Sequence, residues 1–336
     1  MLNLRRKLLV SVFTLMLAVC AVATTTYAWF TMGNETTVSN IEMSVQGSDG
    51  LMIRVVSVNG HKYLEDDAKY GWSTDLNLTG VLSGVKLAPM SLQDRVATGT
   101  YVNTSDQLKT LTSGANYDAT NSFANVPAFA GTETKVEGNY IEIEFEFRSE
   151  AELDVKFKTL KAATVGTVSF ITPVKVISNK LTGADEIKEV LVGQAVENAR
   201  LANALRISVN EATFTDGGSD KAHNYTSGYA GYSKLINPSI YDALTKQYGT
   251  WGKAAVEYYN ATSHYDIEAP AKEYDYEMDD LTSVICDLKY STGLNAYFGK
   301  VQVRIWLEGW DADAFNAVIT DHANLSMSFE GVRTGA

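Results

Sequence analysis

The sequence predicts a mainly β protein: an antiparallel two-sheet sandwich that carries a helical, Tyr-rich insertion. Apolar and polar residues alternate with a period of two near both ends of the chain. Such alternation puts one strand face in the core and the other in water, as in antiparallel sheets covered on one side. Residues 216–280 break that period and hold ten of the 18 tyrosines. Hydrophobic residues make up 45% of the 336 positions, enough for a sizeable core and too many for wholesale disorder.

The elements follow in order. Ile41, Met43 and Val45 alternate with Asn40, Glu42 and Ser44, a first strand over 36–45. Gly47 to Gly50 is turn chemistry. Residues 51–58 form a second, β-branched strand, and Asn59-Gly60 is a hairpin turn. Residues 61–79 read as a polar loop, 81–90 as room for another strand, and 91–138 as irregular connections with short edge strands. The clearest strand is 140–147, with Ile141, Ile143, Phe145 and Phe147 on one face and Glu142, Glu144 and Glu146 on the other. Residues 153–159 repeat the pattern, with Leu153, Val155 and Phe157 inward. The short link between them predicts an antiparallel hairpin that sets Phe145 opposite Val155, Glu144 opposite Lys156 and Glu142 opposite Lys158. Residues 167–177 read as one more strand, with Pro173 marking a bulge or an edge.

The period then changes. Thr182-Gly183-Ala184-Asp185 resembles a capping box, Ile187, Val190 and Leu191 follow at helical spacing, and the Ala-rich run 194–204 predicts a helix. Residues 205–209 return to strand. In the insertion, Asn237-Pro238 is a helix start, with Ile240, Leu244 and Tyr248 at spacing four and a second helical segment over 251–259. Val301, Val303, Ile305 and Leu307 restore the strand pattern. A short helix is expected from Asp311 to Ile319, and Leu325, Met327 and Phe329 mark a closing strand. The division is therefore 1–28 as an export leader, 29–215 with 281–336 as the sandwich, and 216–280 as the insertion.

The leader reading rests on Arg5, Arg6 and Lys7 followed by 16 uncharged, mostly apolar residues, 8–23. A membrane-spanning helix needs roughly 20, so a cleaved secretory signal is the better fit. Ala21-Val22-Ala23 and Thr26-Tyr27-Ala28 are competing exits. Leu17-Ala18-Val19-Cys20 has the outline of a lipidation site at Cys20, and Arg5-Arg6 that of a twin-arginine signal. The segment Thr26-Tyr27-Ala28-Trp29-Phe30-Thr31 resembles the signal-peptide end cut by the dedicated peptidase SipW in TasA/camelysin-type proteins of Gram-positive bacteria. That resemblance implies cleavage between Ala28 and Trp29, export to the cell surface, a jelly-roll β-domain and assembly into biofilm-matrix fibres. Residues 305–313 resemble the penultimate-strand region of exported Firmicute proteins of the same signal class.

Trp29 and Phe30 would be poorly placed as a free tail. With Ile41, Met43 and Val45 they form a candidate self-assembly segment, because an extended segment can complete the edge of a neighbour's sheet. Within it, 36–45 reads best as the first strand of the chain's own sandwich, and 29–35 as the part offered to a neighbour.

Composition narrows the chemistry. Net charge is −12, and without the leader 25 bases face 40 acids; such a surface repels phosphate backbones, so nucleic acid is excluded as a partner. Cys20 and Cys286 are the two cysteines. Once the leader is removed no intramolecular disulfide can form, and Cys286, in an apolar run, reads as a small buried hydrophobe. The sequence holds no G-x-S-x-G elbow, no dinucleotide or phosphate-loop glycine motif and no H-E-x-x-H. His61, His223, His264 and His322 lack ligand spacing. The expectation is a non-enzyme; an extracellular hydrolase has no motif behind it. Asp216 with Asp220, and Asp311 with Asp313, are weak calcium candidates, better read as a turn and a helix cap. Tyr225, Tyr229, Tyr232, Trp251, Tyr258 and Tyr259 are a candidate ligand surface for glycan or a host surface protein; the plainer reading makes them the insertion's own core. The functional expectation is an exported cell-surface or matrix protein that associates with itself as a homo-oligomer or fibre, after a signal peptidase has acted. The alternative is a surface adhesin.

Overall fold

Period-two segments become strands wherever an apolar row has a second sheet to bury against. The computed structural model describes residues 37–46, 50–91, 93–97, 100–103, 109–110, 124–125, 129–132, 134–164, 168–171, 176–178, 188–190, 195–199, 201, 205–212, 214, 234–236, 241–242, 247–248, 284–308 and 322–333. Eight strands carry most of the core: β1 (Thr37–Gln46), β2 (Met52–Val58), β3 (Ile141–Ser149), β4 (Leu153–Thr164), β5 (Leu205–Ala212), β6 (Val284–Asp287), β7 (Ala296–Glu308) and β8 (His322–Arg333). They form two sheets. One is five-stranded, in the order β6, β4, β8, β1 and the short strand Asp75–Asn77. The other is ten-stranded, with β5, β7, β3, β2 and His61–Lys62 as its spine and shorter strands at its margins. The protein is mainly β and sandwich-like, with most pairs antiparallel.

The inner faces meet in one core. Ile41, Met43 and Val45 of β1 lie in register with Leu325, Met327 and Phe329 of β8, to which β1 runs parallel. Opposite them, Ile141, Ile143, Phe145 and Phe147 of β3 and Val301, Val303, Ile305 and Leu307 of β7 are buried in the same cluster. Phe329 sits between the layers, with its ring centroid 6.3 Å from that of Phe145, 5.3 Å from Phe147 and 5.1 Å from Phe157.

Two bulges keep these apolar rows inward. In β4 the buried set runs Leu153, Val155, Phe157 and then Leu160, a change of parity. The register against β8 slips between Phe157 and Thr159, so the extra residue, Lys158, absorbs the change. In β2 the buried set is Ile53, Val55 and then Val58, and the pairing with β3 slips at the same place. The Asn59-Gly60 turn is found as expected, with φ of 44° and 76° at its two residues, the mirror-image turn that suits a two-residue hairpin. It pairs Val58 with His61. The buried Asn59 side chain then donates to the carbonyls of Glu137 and Tyr140 and accepts the Glu142 amide at 2.7 Å.

Three expectations are corrected. The first is the hairpin of β3 with β4. These strands lie in different sheets: β3 pairs with β2 and β7, and β4 with β6 and β8. Residues 150–152 carry the chain across the core, so Phe145 and Val155 belong to opposing layers and Lys156 and Lys158 do not face Glu144 and Glu142. Alternation fixes which face is buried, and two such strands satisfy it equally well face to face as side by side.

The second correction is the helical reading of Ile187, Val190 and Leu191 and of the run 194–204. Lys188–Val190 pairs with Val176–Ser178, and Ala195–Ala199 pairs with Val168–Ile171, as short antiparallel strands. The single strand expected over 167–177 is thus two. Pairing of apolar segments in the sheet context overrides the weak helical preference of Ala-rich sequence. The third concerns the insertion. Tyr241–Asp242 pairs with Gln247–Tyr248, where a helix from Asn237 was expected, and Lys234–Ile236 pairs with β5. The expected helices over 251–259 and 311–319 lie outside the described residues.

Candidate functional site

Of the candidate self-assembly segment, Ile41, Met43 and Val45 lie among the described residues. They are 0%, 3% and 6% exposed on the inner face of β1, held between β8 and Asp75–Asn77. Ala28, Trp29 and Phe30 lie outside the described residues, as do Tyr225, Tyr229, Tyr232, Trp251, Tyr258, Tyr259, Asp216, Asp220, Asp311 and Asp313. Among the described residues no group of three or more His, Cys, Asp or Glu is placed to hold a metal ion. His61 packs edge-on against Tyr63 at 5.1 Å.

The outer face of the ten-stranded sheet carries paired charges. The three outward glutamates of β3 each meet a base from a neighbouring strand. Glu142 accepts Arg304 Nε at 2.8 Å, Glu144 lies 3.2 Å from Lys300 Nζ, and Glu146 accepts Arg54 Nε at 2.6 Å. Glu144 also accepts the Ser57 hydroxyl at 2.7 Å. Arg54 stands over the Trp72 ring, 5.4 Å from its centroid. These bases come from β2 and β7, replacing the lysines of β4 that the hairpin reading assigned. Tyr140, at the start of this ladder, has its phenol pushed above the ordinary range by burial and by the Glu142 charge, which keeps it protonated. The ladder is a set of neutralised ion pairs, partly buried at Glu142 and Glu144 and buried at Glu146.

A second polar cluster joins the two sheets at β5 and β6. Glu211 of β5 accepts the backbone N–H of Asp287 at 2.7 Å, and the Cys286 thiol bonds the same carboxylate. Lys289 pairs with Asp287. Cys286 is fully buried, and burial together with the Glu211 charge pushes its thiol well above the ordinary value. A thiol held protonated is a poor nucleophile, so Cys286 behaves as the buried hydrophobe expected.

Glu211 itself is raised above its ordinary 4.5, chiefly by desolvation, although the N–H of Asp287 pulls the other way. A folded-state pKa above the unfolded one contributes stability that is complete below the unfolded value and lost as pH rises through the folded value. The wild-type protein is therefore expected to lose part of its stability through this group as pH rises above 4.5. Glu211→Gln keeps an acceptor for Asp287 and removes the titration. Melting temperatures measured across that window should fall less steeply in the variant; parallel curves would show that Glu211 does not couple to folding.

The third feature is a trough on the outer face of the five-stranded sheet. Rows run across the strands. Asp75, Ser44, Ser328 and Thr159 are consecutive partners, and so are Asn77, Glu42, Ser326 and Lys161. Short hydroxyl side chains occupy three places of the first row, Ser44, Ser328 and Thr159, and one of the second, Ser326, and the trough so formed measures about 420 Å³. Thr159 Oγ1 and Ser328 Oγ hydrogen-bond at 2.5 Å, and on the far margin Lys158 Nζ reaches Gln46 Oε1 at 2.5 Å. Sequence reading assigned Glu42 and Ser44 to the solvent side of a strand and went no further. The detectable signal was size: Ser44, Ser326 and Ser328 are the small members of outward rows that otherwise carry long polar side chains.

Among the described residues no helix is long and apolar enough to cross a membrane. Compared with protein-family models, with curated proteins and with solved structures, the chain matches none.

Proposed function

We propose that the chain is a non-enzymatic, exported protein of a Gram-positive cell surface or extracellular matrix, and that it associates with itself as a fibre subunit. The observation that carries this reading is the leader with its Thr26-Tyr27-Ala28-Trp29-Phe30 end, which lies a few residues ahead of β1 in the sequence; β1 is held between β8 and the short edge strand Asp75–Asn77. A short extended segment ahead of β1 in the sequence can add to the sheet of the next copy. We read the sandwich as jelly-roll-like: β3, β4, β5, β6, β7 and β8 alternate between the two sheets, as a wound pair of sheets requires. The absence of hydrolase, nucleotide and zinc motifs from the sequence and the inert setting of Cys286 favour a structural role. Calcium remains a candidate ion only through Asp216, Asp220, Asp311 and Asp313.

The test is electron microscopy of the purified protein beginning at Trp29, beside a truncation beginning at Thr36. Filaments from the first and monomers from the second are expected. Filaments of equal length from both would remove the donor role of residues 29–35, and absence of filaments from both would remove the fibre reading. The alternative, an adhesin using the Tyr-rich insertion, predicts binding to glycan or host protein that is lost when 216–280 is deleted while the sandwich stays folded.

A further inference from the structure

We propose that the trough on the outer face of the five-stranded sheet is a saccharide site, one that takes a short run of pyranose hydroxyls. The proposal does not rest on export or on fibre formation. Its basis is the match between the lining and a polyol. The exposed side chains that line the trough are Glu42, Ser44, Asp75, Asn77, Thr159 and Ser326, with Ser328 at the floor. The other lining residues, Met43, Leu76 and Met327, are 3%, 4% and 1% exposed and send their side chains into the core. The surface a ligand meets therefore mixes the polar atoms of these side chains with their carbon stems, a combination that suits a polyol better than a hydrocarbon.

Charge removes further classes. The two ionised groups in the lining are carboxylates, and Lys161, the partner of Ser326, stands at the margin, so the trough has little net charge and suits a neutral ligand better than a strongly anionic one. The carboxylates are only two, and Asp75 Oδ2 already accepts the Thr74 hydroxyl at 3.1 Å; a calcium ion asks for six to eight oxygens. A sugar chain asks for something different: acceptors and donors in alternation, spread along a line. The carboxylates supply acceptors. Asn77 commits its carbonyl oxygen to the Thr79 amide at 2.8 Å, which leaves its NH₂ to donate. Each serine hydroxyl can both donate and accept. Four strands about 4.8 Å apart set these groups along a row, and 420 Å³ falls within the usual range of small-molecule sites, about 300–1,000 Å³. With no aromatic ring in the lining for a sugar to stack on, affinity should be modest, on the order of 0.1–1 mM, and is read as such by titration.

The experiment titrates the purified protein with cellohexaose, a neutral chain, and with a glucosamine hexamer, an amino-bearing one, by NMR or calorimetry. Two variants, Ser326→Lys and Ser44→Gln, fill the trough from solvent-facing positions, and their melting curves report that the fold is kept. The expected result is binding of at least one hexamer that weakens by about tenfold or more in both variants. Asp75→Asn separates the sources: loss of the amino chain alone assigns recognition to the carboxylates, and loss of neither assigns it to the hydroxyl floor. Binding of neither hexamer, or binding unchanged in both trough-filling variants, overturns the proposal.

Discussion

Phe329→Ala is expected to destabilise the protein by about 3–5 kcal/mol, the cost of deleting a large buried aromatic and leaving a cavity. Phe329 is fully buried and touches both layers: Phe145 and Phe147 of β3 across the core, and Phe157 of β4 beside it. The contact with Phe147 is edge-to-face, with planes at 72°, a geometry that adds to simple area burial. Neighbours on two different sheets cannot collapse toward the void without changing the spacing of the layers, so the upper half of the range applies. In urea the midpoint should fall while the slope stays constant, the mark of lost stability without a change in the unfolded surface. By contrast Phe329→Leu retains most of the volume and should cost far less. If the alanine variant melted within a few degrees of wild type, Phe329 would not be the residue that joins the sheets.

How much of this was legible in the sequence depends on what kind of information alternation carries. The inward rows of β1, β3, β7 and β8, and of β4 as far as Phe157, were all readable, because burying one face of a strand imposes a period of two whatever its neighbour. Neighbour choice was not readable. β3 and β4 are adjacent in sequence and complementary in charge, yet Glu142 finds Arg304 and Glu146 finds Arg54, residues distant along the chain. The bulges were half legible: the parity change from Phe157 to Leu160 was present in the sequence, but it identifies a bulge only once 153–164 is known to be one strand. The helical reading of 187–191 and 194–204 failed for the opposite reason. It relied on local propensity, worth tenths of a kcal/mol per residue, where pairing across a ribbon decides the outcome. The trough escaped notice because its serines come from β1 and β8, opposite ends of the chain, and only the parallel register brings them together.

The second large effect is expected at Arg54 and Glu146. Glu146 Oε2 lies 2.6 Å from both Nε and Nη2 of Arg54, with side-chain exposures of 1% for the acid and 12% for the base. Removing one partner of a buried pair leaves a charge without compensation, at a cost of about 3–5 kcal/mol. The two single variants should not be equal. Arg54→Ala takes the base away from the more deeply buried of the two charges, so its cost belongs above that of Glu146→Ala. Glu146→Ala strands a guanidinium that keeps some solvent and the face of Trp72 beneath it, so its cost belongs at the bottom. Replacing both with leucine abolishes the pair without leaving either charge, and such replacements are often close to neutral. The double variant should therefore be more stable than either single one. The cycle measured by urea unfolding gives the coupling directly. Additive single effects with no coupling would show that the pair contributes through packing of its carbon stems and not through charge.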